Sequence, residues 1–175
     1  MVMCKKTQYA LSIAVDTNFI DNAQQNGSRI SILVVQLALP AELSSEAFID
    51  IVTEAAKQSF EALGPYTLEG HYERLMLKKL PLDLQSKVKR QLPIHLQLNG
   101  LTFEFRPDVI IGDVVVELKA NDTIGQREFN QTARYMRILN SSFGLVIHMN
   151  SKKGKVEVHK ITIDSNNQLK EELLP

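Results

Sequence analysis

The chain has almost no cysteine, no surplus of either charge, no long apolar run and no glycine-rich phosphate loop. Each absence removes a class of protein. Cys4 is the single cysteine among 175 residues. An internal disulfide is therefore excluded, as is a zinc site built on thiolates, and a free thiol near the terminus is expected. Lys plus Arg and Asp plus Glu each number 20. A protein that packages nucleic acid would be strongly basic, so positive charge used for binding here has to be local. No stretch approaches the roughly 18 apolar residues of a membrane span. The segment Met1 to Thr7 is polar and basic, and Asp16 interrupts the short apolar stretch after it, which is unlike a secretory signal. A soluble intracellular protein without a membrane partner is the expectation. Internal repeats and low-complexity tracts are also missing. Without a phosphate loop or a nucleophile elbow, kinase, NTPase and serine-hydrolase chemistry have no support. His71, His95, His148 and His159 lack metal-ligand spacing, and no interleaving of aromatic with basic residues suggests a platform for stacking single-stranded nucleic acid.

What remains is a composition of 44% hydrophobic and 23% charged residues, enough for one folded domain with a real core. Tyr9 to Phe19 and Ile30 to Leu39 read as a β-hairpin around a polar loop with an Asn26-Gly27 turn. Ser44 to Leu63 has helical spacing in Phe48, Val52, Ala55, Ala56, Ser59 and Leu63, with Ser44 or Ser45 as cap and Gly64-Pro65 as stop. A second helix starts near Thr67, whose hydroxyl can cap it, and runs to about Leu80 before Pro81. Val88 to Leu98 alternates as a strand, with Pro93 arguing for an edge. Asn99-Gly100 turns it into Leu101 to Ile111, which puts Leu101, Phe103, Phe105, Val109 and Ile111 on one face. After Gly112-Asp113 comes the buried strand Val114 to Ala120, then a helix over Thr123 to Asn140. Strands follow over Phe143 to Met149 and Lys155 to Ile163. The tail from Asp164 reads as frayed or a short helix. The fold class is α/β with mixed α+β order, one sheet flanked by helices. Residues 1–43 form an N-terminal hairpin extension packed on a domain of residues 44–175.

One strand carries charge where it should not. In Val114-Val115-Val116-Glu117-Leu118-Lys119, alternation puts Glu117 and Lys119 on one face. Burying either charge costs roughly several kcal/mol unless it is paired or bound to a metal. Asp108, on the preceding strand, is separated from Glu117 by a short hairpin, so the two carboxylates fall side by side. Two carboxylates, with the Leu118 carbonyl as a further ligand, make a hard-oxygen site suited to Mg²⁺ or Mn²⁺. Lys119 would then orient or deprotonate a water activated by the ion, or stabilise charge on a phosphate in in-line phosphodiester hydrolysis. The same short pattern also serves a buried Glu-Lys pair or two surface charges on a half-exposed strand.

Around these residues the sequence resembles the GxxExxY proteins, a branch of the PD-(D/E)XK nuclease superfamily. Phe105-Arg106-Pro107-Asp108-Val109-Ile110 followed by Glu117-Leu118-Lys119-Ala120 looks like the family's core. Leu63 to Glu73 is similar to its opening motif, with Glu69 and Tyr72 on the family's Glu and Tyr. Gln131 and Tyr135 match a Gln and a Tyr four residues later, and Phe143 to Asn150 resembles the strand that follows. The likeness spans roughly Ser45 to Ile163. It departs at Tyr66, where the family has its first glycine, although Gly64 stands nearby.

The resemblance implies a restriction-endonuclease-like αβββαβ core. Asp108 and Glu117 would be metal ligands and Lys119 the catalytic lysine. Glu69 would complete the acidic cluster, and Gln131 would face the site from the later helix. Helical spacing agrees for Gln131 and Tyr135, which share a face with Arg127 and Arg134 beside them. Those arginines either hold phosphate or belong to a solvated helix face. Tyr72 and Tyr135 either contact substrate or pack in the core. Further basic clusters stand at Lys78-Lys79, Lys87-Lys89-Arg90 and Lys152-Lys153-Lys155. The reading is a Mg²⁺- or Mn²⁺-dependent nuclease acting on DNA or RNA. The alternatives are a catalytically silent module that binds a protein or nucleic-acid partner, with the N-terminal extension recruiting the protein, and a subunit of a nucleic-acid-processing complex.

Overall fold

A computed structural model describes residues 43–175. The N-terminal hairpin expected over residues 1–43 falls, but for Leu43, outside the described residues.

Helix α1, Ser45–Leu63, begins where the Ser44 hydroxyl accepts the Ala47 amide at 3.1 Å and ends at Gly64, whose φ of 71° suits a residue without Cβ. Its buried stripe runs Phe48, Val52, Ala55, Ala56 and Ser59. Helix α2, Glu69–Lys79, follows a tight turn. The expected Thr67 cap is displaced by one residue: Leu68 takes that position without a side-chain bond, because the Thr67 hydroxyl donates to the Leu63 carbonyl at 3.1 Å and closes α1 instead. After Pro81 a single turn, α3 (Leu82–Gln85), was not read from the sequence.

The strands are β1 (Val88–Arg90), β2 (Ile94–Leu98), β3 (Leu101–Phe105), β4 (Val109–Ile111) and β5 (Val114–Lys119). Helix α4, Gln126–Leu139, comes next, and then β6 (Gly144–Asn150), β7 (Lys155–Ile163) and β8 (Leu169–Leu173). A six-stranded sheet has the order β1-β4-β5-β6-β7-β8. Only β5 and β6 run parallel in it, joined through α4, so the sheet is mixed. Helices α1 and α2 cover the face that presents Val114, Val116, Leu118, Leu145, Ile147 and Met149. Helix α4 covers the opposite face, packing Ala133, Tyr135 and Met136 against Val115, Val146 and Ile161. Among the described residues no helix is long and apolar enough to cross a membrane.

Three expectations needed correction. The two long strands expected over Val88 to Leu98 and Leu101 to Ile111 are each broken. One register runs through both halves, Val88 opposite Ile111 and Ile94 opposite Phe105, so the hairpin pairing was right. The ladder is interrupted at Gln91 to Pro93 and Arg106 to Asp108, where two prolines lack amide donors and Gln91 takes a φ of 49°. The outer half thus leaves the main sheet as a two-stranded arm, and Leu101 and Phe103, expected to share one face with Val109 and Ile111, are 62% and 42% exposed while Val109 and Ile111 are buried. The helix expected from Thr123 starts only after Gly125, whose extended backbone holds off the first turn. The tail is a strand rather than frayed chain or helix. Asp164 Oδ1 accepts the amides of Asn166 and Gln168, both at 2.9 Å, and this turn folds β8 back on β7.

Candidate active site

The break in the hairpin falls at Asp108. Its carbonyl accepts the Gln91 amide at 3.0 Å. Its own amide is released from the ladder and donates to Glu117 Oε1, also at 3.0 Å. Since Val109 opposes Val116, Asp108 stands beside Glu117 on the α4 face of the sheet. Two residues on, Lys119 Nζ lies 2.9 Å from Asp108 Oδ2 and 3.3 Å from Glu117 Oε2. Glu69, in the first turn of α2, reaches the end of β5 from the opposite layer. Its Oε2 accepts the Ala120 amide at 3.2 Å and its Oε1 is 3.9 Å from Lys119 Nζ. The helix N-terminus it occupies favours a carboxylate.

From α4, Gln131 Nε2 donates to Glu117 Oε2 at 3.2 Å and to the Tyr135 hydroxyl at 3.3 Å, and that hydroxyl donates to the Arg106 carbonyl at 3.4 Å. The chain Arg106, Tyr135, Gln131, Glu117 thus ties the hairpin break to the carboxylate. Asp108, Glu117, Lys119, Glu69, Gln131 and Tyr135 are all brought together.

Electrostatics follow from burial. Glu117 has no exposed side-chain surface. Loss of water and the adjacent Asp108 charge push its pKa up to about 8, against the lowering pull of Lys119 and the Asp108 amide. Burial opposes the charged Lys119 ammonium, yet Glu117 and Asp108 outweigh it, and its pKa ends above that of an ordinary lysine. The Glu69 carboxyl is also raised, by burial first, with Lys119 and the Ala120 amide pulling the other way. Burial raises the Tyr135 phenol as well. The cluster is short of positive charge: three carboxylates face one ammonium.

The chemistry of the donors suits a hard divalent cation, because Asp108 and Glu117 direct oxygens at one point that a cation, here the ammonium, already fills. Among the described residues no group of three or more His, Cys, Asp or Glu side chains is close enough to hold an ion. An ion there would rest on two carboxylates and keep several waters.

Leu118 lies between Glu117 and Lys119 on the same strand, with its side chain buried on the opposite face, in the core under α1 and α2, so only its backbone belongs to the site. Three other expected residues stand apart from this cluster. Arg127 and Arg134 are exposed on α4, and Arg134 lies over the Phe105 ring at 6.0 Å. Neither forms an ion pair among the described residues. Tyr72 is not brought to the site: it is fully buried, stacked on Phe60 at 5.8 Å, and its hydroxyl donates to the Gly64 carbonyl. It packs α1 against α2 and fixes the turn before Glu69.

Much of the clustered basic charge is already paired, Arg90 with Glu73, Lys152 with Asp122, and Lys153 and Lys155 with Glu157. The sequence reading missed a buried polar group beneath the site. His148 Nε2 donates to the Asn121 carbonyl at 2.8 Å, and Asn150 donates to Glu157 Oε2 at 2.8 Å. The group braces the loop that follows Lys119. The signal was present, since His148 and Asn150 are polar residues two apart in an apolar strand.

No curated protein and no solved structure matches the chain. A family model does, that of the PD-(D/E)XK nuclease superfamily, over residues 46–161. The matched span runs from α1 through β7 and includes every residue of the acidic cluster. The chain belongs to the PD-(D/E)XK nuclease superfamily.

Proposed function

We propose that this chain is a metal-dependent nuclease that hydrolyses phosphodiester bonds in DNA or RNA. The observation that carries the reading is the convergence of Asp108, Glu117 and Lys119 at one end of a buried strand, inside a family of nucleases. A fully buried carboxylate with a raised pKa is unfavourable for folding alone, and a bound divalent ion relieves it.

Asp108 and Glu117 hold a Mg²⁺ or Mn²⁺ ion, with the Leu118 carbonyl as a further ligand. When bound, the ion supplies Lewis acidity toward a phosphoryl oxygen and acidifies water. Lys119 keeps its proton in this acidic setting and sets a positive charge beside the phosphate. Glu69 holds the Ala120 amide and with it the loop after Lys119. Gln131, locked by Tyr135, fixes the orientation of Glu117. Arg127 and Arg134, without carboxylate partners among the described residues and on the exposed side of α4, engage the nucleic-acid backbone.

The test is cleavage of mixed DNA and RNA substrates with Mg²⁺, Mn²⁺ or EDTA. Wild-type protein cleaves only with the ion. Lys119→Ala and Asp108→Ala each lower the rate by about 10²-fold or more, with folding checked by circular dichroism. Metal-independent cleavage, or cleavage that survives both substitutions, refutes the assignment.

A further inference from the structure

Tyr66 stands three residues before Glu69 in a conformation that costs energy. Its φ is 61°, a region glycine enters freely and a tyrosine does not. Strained positions of this kind cluster at active sites and ligand clamps. The ring gains little from the fold in return, since Tyr66 is 77% exposed and Leu68, two residues on, is 71% exposed. The turn is instead held by its backbone, with the Tyr66 amide donating to Ser151 Oγ at 2.8 Å across 85 positions of sequence.

That bond ties the backbone of Tyr66 to the chain just after β6. Ser151 follows β6, whose parallel partner β5 ends in Lys119 opposite His148. Tyr66 precedes Glu69 by three residues, a reach of at most about 11 Å. Next to Ser151, Lys152 is paired at 2.9 Å with Asp122, three residues beyond Lys119, and it lies within electrostatic reach of Tyr66. An exposed aromatic ring and an exposed ammonium therefore share the rim at the carboxyl ends of the parallel strands, where α/β sheets hold their ligands.

We propose that Tyr66 is a base-stacking residue, with Lys152 beside it for phosphate, and that the substrate therefore presents an unpaired base at the reacting phosphate. Bases within a duplex keep their faces covered, whereas a single-stranded segment or end offers one to the ring. This rests on the nuclease reading and narrows it to single-stranded or locally unpaired nucleic acid.

The test is fluorescence anisotropy with the full chain and with Ca²⁺ in place of Mg²⁺. The probes are a single-stranded DNA, a single-stranded RNA of the same sequence, and the DNA duplex. Tyr66→Ala weakens single-strand binding about tenfold or more, Tyr66→Phe retains it, and duplex binding is unchanged by either. The ratio of the two single-strand affinities shows whether DNA or RNA is preferred. Equal single-strand affinity for wild type and Tyr66→Ala overturns the inference, as does wild type that binds duplex while ignoring single strands; in both cases the nuclease reading survives. Wild type that binds none of the probes, and cleaves none of them when Mg²⁺ replaces Ca²⁺, refutes both.

Discussion

Replacing Lys119 with methionine keeps an apolar stem of similar length and removes the cation that bridges Asp108 and Glu117. The ammonium sits 2.9 Å and 3.3 Å from the two carboxylates with only 13% of its side chain exposed, so solvent does little to compensate. Breaking such a pair leaves uncompensated buried charge and costs about 3–5 kcal/mol when both carboxylates are ionised. That condition depends on pH. Glu117 has a folded pKa of about 8, above its unfolded value of 4.5. Its contribution to stability is therefore fully present below pH 4.5 and declines as pH rises through 8. Lys119 lowers that pKa, so Lys119→Met raises it further and extends the decline to higher pH, at about 1.4 kcal/mol per unit.

The variant should accordingly lose about 1 kcal/mol at pH 6, where Glu117 holds a proton in both proteins, and about 3 kcal/mol at pH 9. Urea titrations followed by circular dichroism at the two pH values read the difference directly. Adding Mg²⁺ at pH 9 should restore more stability to the variant than to wild type, because the ammonium no longer competes for the same oxygens; a concentration 100 times the dissociation constant supplies about 2.7 kcal/mol. A stability difference that is flat with pH, together with no response to Mg²⁺, would show that the carboxylates are not a charged pair awaiting a cation.

Two further outcomes test the frame around the site. Gly144→Ala puts a Cβ 2.6 Å from Thr132 Cγ2 and 3.0 Å from Met136 Sδ, between β6 and α4; thermal melts should show a loss of about 1–3 kcal/mol. Glu157 has its pKa pulled down to about 2, first by the Asn150 hydrogen bond and then by those from Lys153 and Lys155. A lowered carboxylate stabilises above its unfolded value of 4.5, and the benefit vanishes as pH falls toward 2. Glu157→Gln should therefore cost about 2 kcal/mol at pH 7, after discounting the exposed lysines, and the gap from wild type should close in urea titrations carried down to pH 2.5.

Alternation made the chemistry of β5 legible. Glu117 and Lys119 had to share a face once the strand was recognised, and Val115 on that same face packs against α4. The pairing of Asp108 with Glu117 followed from the single short turn at Gly112-Asp113. Glu69 and Gln131 were different. They arrive from helices on opposite layers, at 51 and 14 positions from their partners Ala120 and Glu117, and no local period encodes such a meeting. They were found through resemblance alone, and Tyr72, offered by the same resemblance, proved to be packing. The β8 strand was lost because an exposed edge strand with the sequence Leu-Lys-Glu-Glu-Leu has no buried face to alternate against.

The hairpin break was the harder reading, and it matters most for the site. Alternation ran unbroken through Pro93 and Pro107, so the pattern suggested two uniform strands. A proline excludes only its own amide; which ladder rung fails depends on what stands opposite, and that register is set by the turn at Asn99-Gly100. With the register fixed, Leu92 opposes Pro107 and Gln91 opposes Asp108, and regular pairing lapses there although the Gln91 amide still donates to the Asp108 carbonyl. The failure is useful. In an unbroken ladder the Asp108 amide would be committed to the neighbouring strand; here it caps the buried carboxylate of Glu117. The local departure from strand regularity is thus what lets an acidic site be built inside a sheet.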